Sequence, residues 1–168
     1  RLVSVDNQPV LVPDVAQQLV LALLSQTQRE AFLQNKEIDF SFQFGDMGRF
    51  RVHACYQRGS LAAALRLIHT KVTTLSELKL PALCTQLTSL RQGFILVTGP
   101  TGHGKSSTLA AMIEAINETR AEHILTIEDP IEFLYQPIKS VISQREVHGD
   151  THSWEMALKS ALREDPDV

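Results

Sequence analysis

The sequence has few cysteines, few aromatic residues and no long apolar run. Of its 168 residues, 2 are cysteines and 6% are aromatic. The richest apolar run, residues 19–24, is flanked by Gln18 and Ser25 and falls far short of the roughly 18–20 residues of a membrane span. Cys55 and Cys84 fit neither a zinc-binding nor a CxxC spacing, which favours small buried side chains in a reducing cytosol. We therefore expect no disulfide framework, no zinc site and no direct membrane insertion.

The ends of the sequence are unusual for a complete protein. The chain starts at Arg1 without a methionine, and no basic segment followed by an apolar one indicates a signal peptide. It stops at Val168, directly after Asp-Pro-Asp, where a valine is typical of the first residue of a buried strand. We expect a fragment of a longer protein.

Acidic residues are absent from Met47 to Ser76. Five cations fall in that stretch: Arg49, Arg51, Arg58, Arg66 and Lys71. Cations without acidic neighbours are typical of anion binding, although solvated arginines on an edge surface would look the same. The net charge is +1 over residues 1–70 and −4 over residues 71–168. With −3 overall and no basic surface interleaved with aromatics, nucleic acid is not an expected partner.

The first 70 residues predict a mixed α and β domain. A helical apolar stripe covers residues 13–24, and Thr27 with Glu30 forms a capping box for a second helix. Two strictly alternating runs, 38–44 and 50–56, predict a β-hairpin whose polar face carries Arg49, Arg51 and His53. Residues 59–68 favour a third strand. Residues 71–92 are expected to be a linker with one short helix, opened by a capping box of Thr74 and Glu77.

From residue 93 the pattern is that of an α/β domain. The apolar run Phe94–Val97 predicts a strand buried on both faces, followed by a helix and a second buried strand at residues 123–127. Residues 140–147 predict a further strand. Ser153 is expected to cap a last helix with one inward face, formed by Trp154, Ala157, Leu158, Ala161 and Leu162.

The strongest chemical signal is a P-loop, G-x-x-x-x-G-K-[ST], placed between the predicted strand and helix. The motif comprises Gly99, Pro100, Thr101, Gly102, His103, Gly104, Lys105 and Ser106, and these residues together with Ser107 are the expected nucleotide-binding residues. Glycines let backbone N–H groups curl around phosphates, and the helix N-terminus adds partial positive charge. Lys105 is expected to bridge the β- and γ-phosphates, and Ser106 to ligate Mg²⁺. Thr101 is interpreted as a turn or packing residue. His103 occupies a variable position, and its side chain is expected to point outward.

The second signal is an acidic segment directly after the strand that ends at Ile127. Glu128, Asp129 and Glu132 follow it, and ligands in open α/β sheets bind beyond the carboxyl ends of strands. These acids can hold a metal ion and orient water for phosphoryl transfer. A solvated loop acid is the alternative for Glu128, and a turn cap before Pro130 is the alternative for Asp129. His148 and His152 share i, i+4 spacing, but a surface loop is the preferred interpretation for both.

Four blocks in order resemble the type IV pilus and type II secretion ATPases. They are residues 93–102 with Gly104-Lys-Ser, residues 124–133, residues 144–147 and residues 161–167. Upstream, Arg49-Phe-Arg-Val52 and Leu65-Arg-Leu-Ile68 resemble the N-terminal domain of the PilT branch, the pilus retraction motors. The resemblance implies an α/β chain with a PAS-like α+β domain (1–70), the linker (71–92) and an incomplete RecA-like P-loop ATPase domain (93–168) with a mostly parallel sheet.

The same resemblance implies specific residue roles. Glu132 matches the catalytic glutamate, and Arg51 and Arg66 match the arginines that reach the phosphates. Ser106, Glu128 and Asp129 are the expected metal residues, with ATP and Mg²⁺ as cofactors. The Walker B motif is expected beyond Val168, so this fragment alone is expected to be inactive or nearly so.

The function this implies is a homo-hexameric, ATP-hydrolysing motor that powers type IV pilus retraction. Its expected partner is an inner-membrane pilus platform protein, and its expected place is the cytoplasmic face of a bacterial inner membrane. An assembly or secretion ATPase of the same superfamily is the nearby alternative. A non-hydrolysing nucleotide-binding accessory subunit is the alternative of another class.

Overall fold

The computed structural model describes residues 3–45, 47–68 and 71–168 and separates the chain into two compact units. One unit comprises Arg1–Phe44 and Arg49–Arg66, and the other comprises Gly45–Gly48 and Leu67–Val168. No helix among the described residues has the length and apolarity needed to cross a membrane. The regular elements in chain order are α1 (Pro13–Ala22), α2 (Gln26–Asn35), β1 (Glu37–Phe44), β2 (Gly48–Gln57), β3 (Ser60–Leu67), α3 (Ala82–Thr88), α4 (Lys105–Thr119), β4 (His123–Glu128), β5 (Val141–Glu146) and α5 (Trp154–Ala161).

The first unit contains a three-stranded sheet in the order β1-β2-β3. The predicted hairpin is present as β1 and β2, and the third predicted strand is present as β3. Arg58 and Gly59 connect β2 to β3 with φ values of 53° and 82°, the positive values that type I′ hairpin turns require. Such tight connections join antiparallel neighbours.

The core of the first unit lies between the helices and one face of this sheet. Phe32 of α2 is fully buried and stacks on Tyr56, with ring centroids 5.3 Å apart. Val52 and Ala54 are fully buried on β2, whereas the alternate residues Arg51 and His53 are only half-buried. The period-two pattern of the sequence therefore placed the apolar face of β2 correctly.

The two predicted capping boxes had different outcomes. Helix α2 begins two residues earlier than predicted, because Ser25 and Gln28 form the capping box and Thr27 lies within the first turn. The Gln28 N–H donates to Ser25 Oγ (3.3 Å), and the Ser25 N–H donates to Gln28 Oε1 (2.9 Å). The Thr74 box is confirmed: the Thr74 N–H donates to Glu77 Oε2 at 2.8 Å, and the hydrogen bonds from Thr74 lower the pKa of the Glu77 carboxyl. It opens a turn, since the helix that follows, α3, begins only at Ala82.

The second unit is built around α4 and the parallel pair of β4 and β5. Leu75 packs against Ala111 and Met112 of α4, so part of the predicted linker contributes to this core. Strands β4 and β5 pair in parallel from His123 opposite Val141 to Glu128 opposite Glu146. Both strands therefore end at the same edge, where the acidic segment begins.

The predicted strand Phe94–Val97 is wrong, because these residues form no strand. Phe94 is 88% exposed and Leu96 is 72% exposed. A strand exists only through hydrogen bonds to a neighbour, and among the described residues none supplies that ladder. The predicted strand–helix–strand unit is therefore absent, and Phe94 and Ile95 line an open groove of about 510 Å³ beside α4. Val168 lies along β4, since its carbonyl accepts the Leu125 N–H at 2.8 Å, yet it is 41% exposed and not in a strand.

Helix α5 has a narrower buried face than predicted. Ser153 caps it as expected, with its hydroxyl accepting the Met156 N–H at 3.2 Å. Ala157 is fully buried, but Leu158 is 58% and Leu162 86% exposed. The periodicity located the helix, which contacts β4, but of the five residues predicted to face inward only Ala157 is buried.

Candidate active site

The loop before α4 has the backbone geometry that a P-loop needs. Gly99, Gly102 and Gly104 have φ values of 152°, 79° and 82°, a region that residues with a Cβ rarely adopt. Gly104 is the N-cap of α4, and no side chain caps the helix. The first backbone N–H groups of α4 therefore remain open to an anion in the loop, where the helix dipole favours negative charge.

Lys105 and Ser106 occupy the first turn of α4, as predicted from the motif. The Lys105 ammonium donates to the Pro100 carbonyl at 3.0 Å, so the side chain folds back over the loop. Ser106 is exposed, and no other described residue hydrogen-bonds its hydroxyl. His103 is exposed, as expected, and its Nδ1 lies 3.1 Å from the Thr101 carbonyl.

The acidic segment after β4 faces the start of α4 across one cavity. This cavity measures about 410 Å³. Ser106 lines it from α4, and Glu128, Asp129 and Glu132 line it from the segment after β4. The structure thus brings together the hydroxyl and the three carboxylates that the sequence assigned to one site.

Residues 128–135, here called the acidic loop, are anchored by the Glu128 carboxylate. Glu128 Oε1 accepts the Thr126 hydroxyl at 2.7 Å and the Gln144 amide at 3.2 Å, and Oε2 accepts the Glu132 N–H at 3.2 Å. Asp129 differs, because it is exposed and no described residue hydrogen-bonds its carboxylate. The Glu128 carboxylate thus already accepts three hydrogen bonds, whereas Asp129 lines the cavity without one from a described residue.

Two residues of β5 hold this loop, and sequence reasoning gave them no role. The Gln144 amide contacts the loop at three points, and the buried Glu146 carboxylate accepts the Ile131 N–H at 3.3 Å. Both belong to the block 144–147 that carried part of the family resemblance. The block 144–147 was the only sequence signal for these two residues. Their hydrogen bonds to the acidic loop could not be predicted from it, because they depend on the register of β5 against β4.

Tyr135 and Trp154 also line the cavity. Burial raises the pKa of the Tyr135 phenol, and the negative charges of Glu128 and Glu114 raise it further. Trp154 was predicted to face inward on α5, but it is 48% exposed and lies beside the acidic loop. It is the only tryptophan of the chain and gives the cavity a fluorescent reporter.

The partly buried Tyr135 phenol should cause a loss of stability at alkaline pH. Folding raises the pKa of Tyr135, so its stabilising effect is present below about pH 10, the usual tyrosine value, and is lost as the pH rises above it. Urea unfolding at several pH values between about 8 and 11 measures this effect. The free energy of unfolding should fall less steeply with pH in Tyr135→Phe than in the unmodified protein. Equal slopes would show that the phenol titrates normally in the fold.

The remaining predicted site residues lie elsewhere in the structure. Arg51 is half-buried on β2 and Arg66 is exposed on β3, both in the first unit. His148 and His152 are exposed, and among residues 3–45, 47–68 and 71–168 no cluster of three His, Cys, Asp or Glu side chains is arranged to hold a metal. The predicted preference for a surface loop at the two histidines agrees with this placement.

The loop at the start of α4 and the acidic loop define a P-loop protein of the α/β class. Residues 23–168 match the family model of the Type II/IV secretion system proteins, and the chain belongs to that family.

Similar proteins include pilus motors. A twitching motility protein of Neisseria gonorrhoeae is 49% identical over 96% of this chain and 43% of its own length. The type IV pilus retractation ATPase PilT of Pseudomonas aeruginosa is 45% identical over 96% of this chain and 47% of its own length. The crystal structure of the pilus retraction motor PilT with bound ADP superposes with a TM-score of 0.87 at 49% identity, covering 90% of this chain and 44% of that one. The chain thus spans less than half the length of these relatives.

Proposed function

We propose that this chain belongs to an ATP-hydrolysing motor that powers type IV pilus retraction. The observation that carries the proposal is the shared cavity, which places the P-loop serine Ser106 opposite the acidic residues Asp129 and Glu132. The likeness to pilus retraction proteins, one of them with bound ADP, supports the choice of nucleotide and of cellular task.

The residues at the start of α4 and in the cavity beside it fit ATP and Mg²⁺. Open N–H groups at the uncapped start of α4 suit phosphate oxygens, and Lys105 adds a full positive charge beside them. Ser106 and Asp129 supply oxygens of the kind that Mg²⁺ binds, and no described residue hydrogen-bonds them, whereas the Glu128 carboxylate accepts three hydrogen bonds from Thr126, Glu132 and Gln144. When bound, the metal would neutralise charge that develops on the phosphates.

Glu132 is the proposed catalytic residue. It lines the cavity, is exposed, and its backbone is fixed by the hydrogen bond to Glu128. A carboxylate in this place can orient a water molecule towards the terminal phosphate and accept its proton. These are the two tasks that phosphoryl transfer to water leaves to the protein.

The proposed motor is a homo-hexamer that works against a pilus platform protein at the cytoplasmic face of a bacterial inner membrane. The names of the relatives support the pilus assignment, while the subunit number and the platform partner follow from the family resemblance. We also propose that Arg51 and Arg66 of the first unit contact the phosphates of ATP.

Loss of either arginine should lower ATP turnover without unfolding the protein. In the full-length protein, Arg51→Ala and Arg66→Ala should each cut kcat by about 10²-fold, as for a lost donor at a developing charge. Arg29→Ala is the matched control, because the Arg29 guanidinium donates hydrogen bonds to the Leu21 and Leu24 carbonyls at the end of α1. Steady-state ATPase rates with thermal unfolding measure both effects. Turnover unchanged in Arg51→Ala would remove that residue from the site, and the same holds for Arg66→Ala.

The cellular role is tested by complementation. A strain that lacks the full-length gene should lose twitching, and the intact gene should restore it, whereas a Lys105→Ala allele should not. Restored secretion or pilus assembly without retraction would instead favour the neighbouring branches of the superfamily.

A further inference from the structure

The Gln144 side chain lies on β5 and joins three points of the acidic loop. Its Nε2 donates to the Phe133 carbonyl at 2.8 Å and to Glu128 Oε1 at 3.2 Å. Its Oε1 accepts the Tyr135 N–H at 3.0 Å. One amide thus satisfies main-chain groups on both sides of Leu134 and holds the carboxylate at the beginning of the loop.

Gln144 is linked to Glu132 through the Glu128 carboxylate. Gln144 fixes one oxygen of Glu128, and the other oxygen accepts the Glu132 N–H. The Phe133 carbonyl, held by the same amide, belongs to the residue that follows Glu132. The Glu132 backbone is therefore fixed on both sides by groups that Gln144 contacts.

Gln144 does not line the cavity that holds Ser106 and Glu132. Gln144 can therefore influence a ligand in this cavity only through the position of the acidic loop. Strand β5 supplies a rigid base for it, since Gln144 lies opposite Thr126 in the parallel ladder.

We propose that Gln144 is a positioning residue for ATP hydrolysis, which holds the acidic loop so that Glu132 faces the nucleotide. This inference rests on the proposed function. Without the amide, the Phe133 carbonyl, the Tyr135 N–H and the Glu128 carboxylate each lose the hydrogen bond that Gln144 makes to them. A catalytic group displaced by about 1 Å can lose on the order of 10²-fold in rate.

Asn117 provides a matched control, because it holds the segment that directly follows the acidic loop. Asn117 of α4 is fully buried and holds residues 136–138 in the same way. Its amide donates to the Gln136 carbonyl at 2.8 Å, and its Oδ1 accepts the Ile138 N–H at 2.9 Å. Asn117 therefore bridges main-chain groups two residues apart, as Gln144 does, but its other side-chain hydrogen bond goes to Glu114 and none goes to Glu128.

The test compares Gln144→Met with Asn117→Leu in the full-length protein. Both substitutions keep the side-chain size and remove the hydrogen bonds. The measurements are kcat and KM for ATP, the affinity for a fluorescent ADP analogue, and the temperature of unfolding. We expect Gln144→Met to lower kcat by about tenfold or more while ADP affinity stays within about twofold, because the P-loop is untouched. Asn117→Leu should lower the temperature of unfolding and leave kcat near that of the unmodified protein.

Each outcome decides for or against the proposal. Unchanged kcat in Gln144→Met, or parallel losses of kcat and ADP affinity, would overturn the positioning role. Equal loss of kcat in both variants would also overturn it, since general loosening of the segment would explain the result. If Gln144→Met does not fold, Gln144→Leu serves instead: it removes the same three hydrogen bonds without adding a charge beside Glu128 and should show the same selective fall in kcat. If the unmodified protein itself hydrolyses no ATP, the proposed function fails, which is a different result from all of these.

Discussion

Lys105→Ala in the full-length protein is expected to abolish measurable ATP turnover. The ammonium is the only full positive charge within the loop 99–107, and it lies against Pro100 at the loop's entrance. Removing a preorganised charge that stabilises developing phosphate charge costs on the order of 10²–10³-fold in rate. Loss of nucleotide affinity adds to this, because backbone N–H groups alone would hold the phosphates. Steady-state phosphate release, followed with saturating Mg²⁺ and ATP, measures the change.

The matched control for Lys105 is Lys139→Ala. Lys139 is an exposed lysine of the same unit and does not line the cavity. Its loss should leave turnover as it was. Normal turnover in Lys105→Ala would show that the loop before α4 is not the phosphate site.

Glu132→Gln should separate nucleotide binding from hydrolysis. The amide keeps the size of the side chain and leaves the backbone bond to Glu128 in place, but it cannot accept a proton from water. Loss of a general base costs about 10²–10⁴-fold in kcat. ADP affinity should change by less than about threefold, since the P-loop is intact. Titration of the chain with ADP, followed by the fluorescence of Trp154 beside the acidic loop, provides the binding measurement.

Glu118→Gln is the corresponding control. Glu118 is exposed on α4 and lies outside the cavity, so its substitution changes the same net charge without touching the site. A kcat that falls equally in both variants would assign the effect to charge alone. If Glu132→Gln leaves kcat unchanged, Glu132 is not the general base, and another group accepts the proton of the attacking water.

Most of the secondary structure could be predicted from the sequence, because it depends on side-chain alternation and hydrogen bonds between residues close in the chain. The alternation in β1 and β2 placed Val52 and Ala54 in the core, and Ser153 marked the start of α5 through one hydrogen bond within four residues. The P-loop was predictable for the same reason, since its geometry depends on glycines at fixed spacing. Position relative to β4 also brought Glu132 into the site, because acids after a parallel strand meet at the sheet edge.

The errors arose where structure depends on distant partners. Phe94–Val97 has the composition of a buried strand, but composition does not supply the neighbour that a ladder needs. The exposure of Leu158 depends on how much of α5 meets β4, which no helical stripe reveals. Gln144 could not be assigned because Glu128 lies 16 residues away and Phe133 lies 11 residues away. Only the parallel register of β4 and β5 shows that these groups meet.

The most direct test of the account is a crystal structure of the full-length protein with Mg²⁺ and a non-hydrolysable ATP analogue. We expect the phosphates within the loop 99–107, with Lys105 on the β- and γ-phosphates and Glu132 facing the terminal phosphate. Phosphates bound away from that loop, or a Glu132 carboxylate turned out of the cavity, would contradict the proposed site.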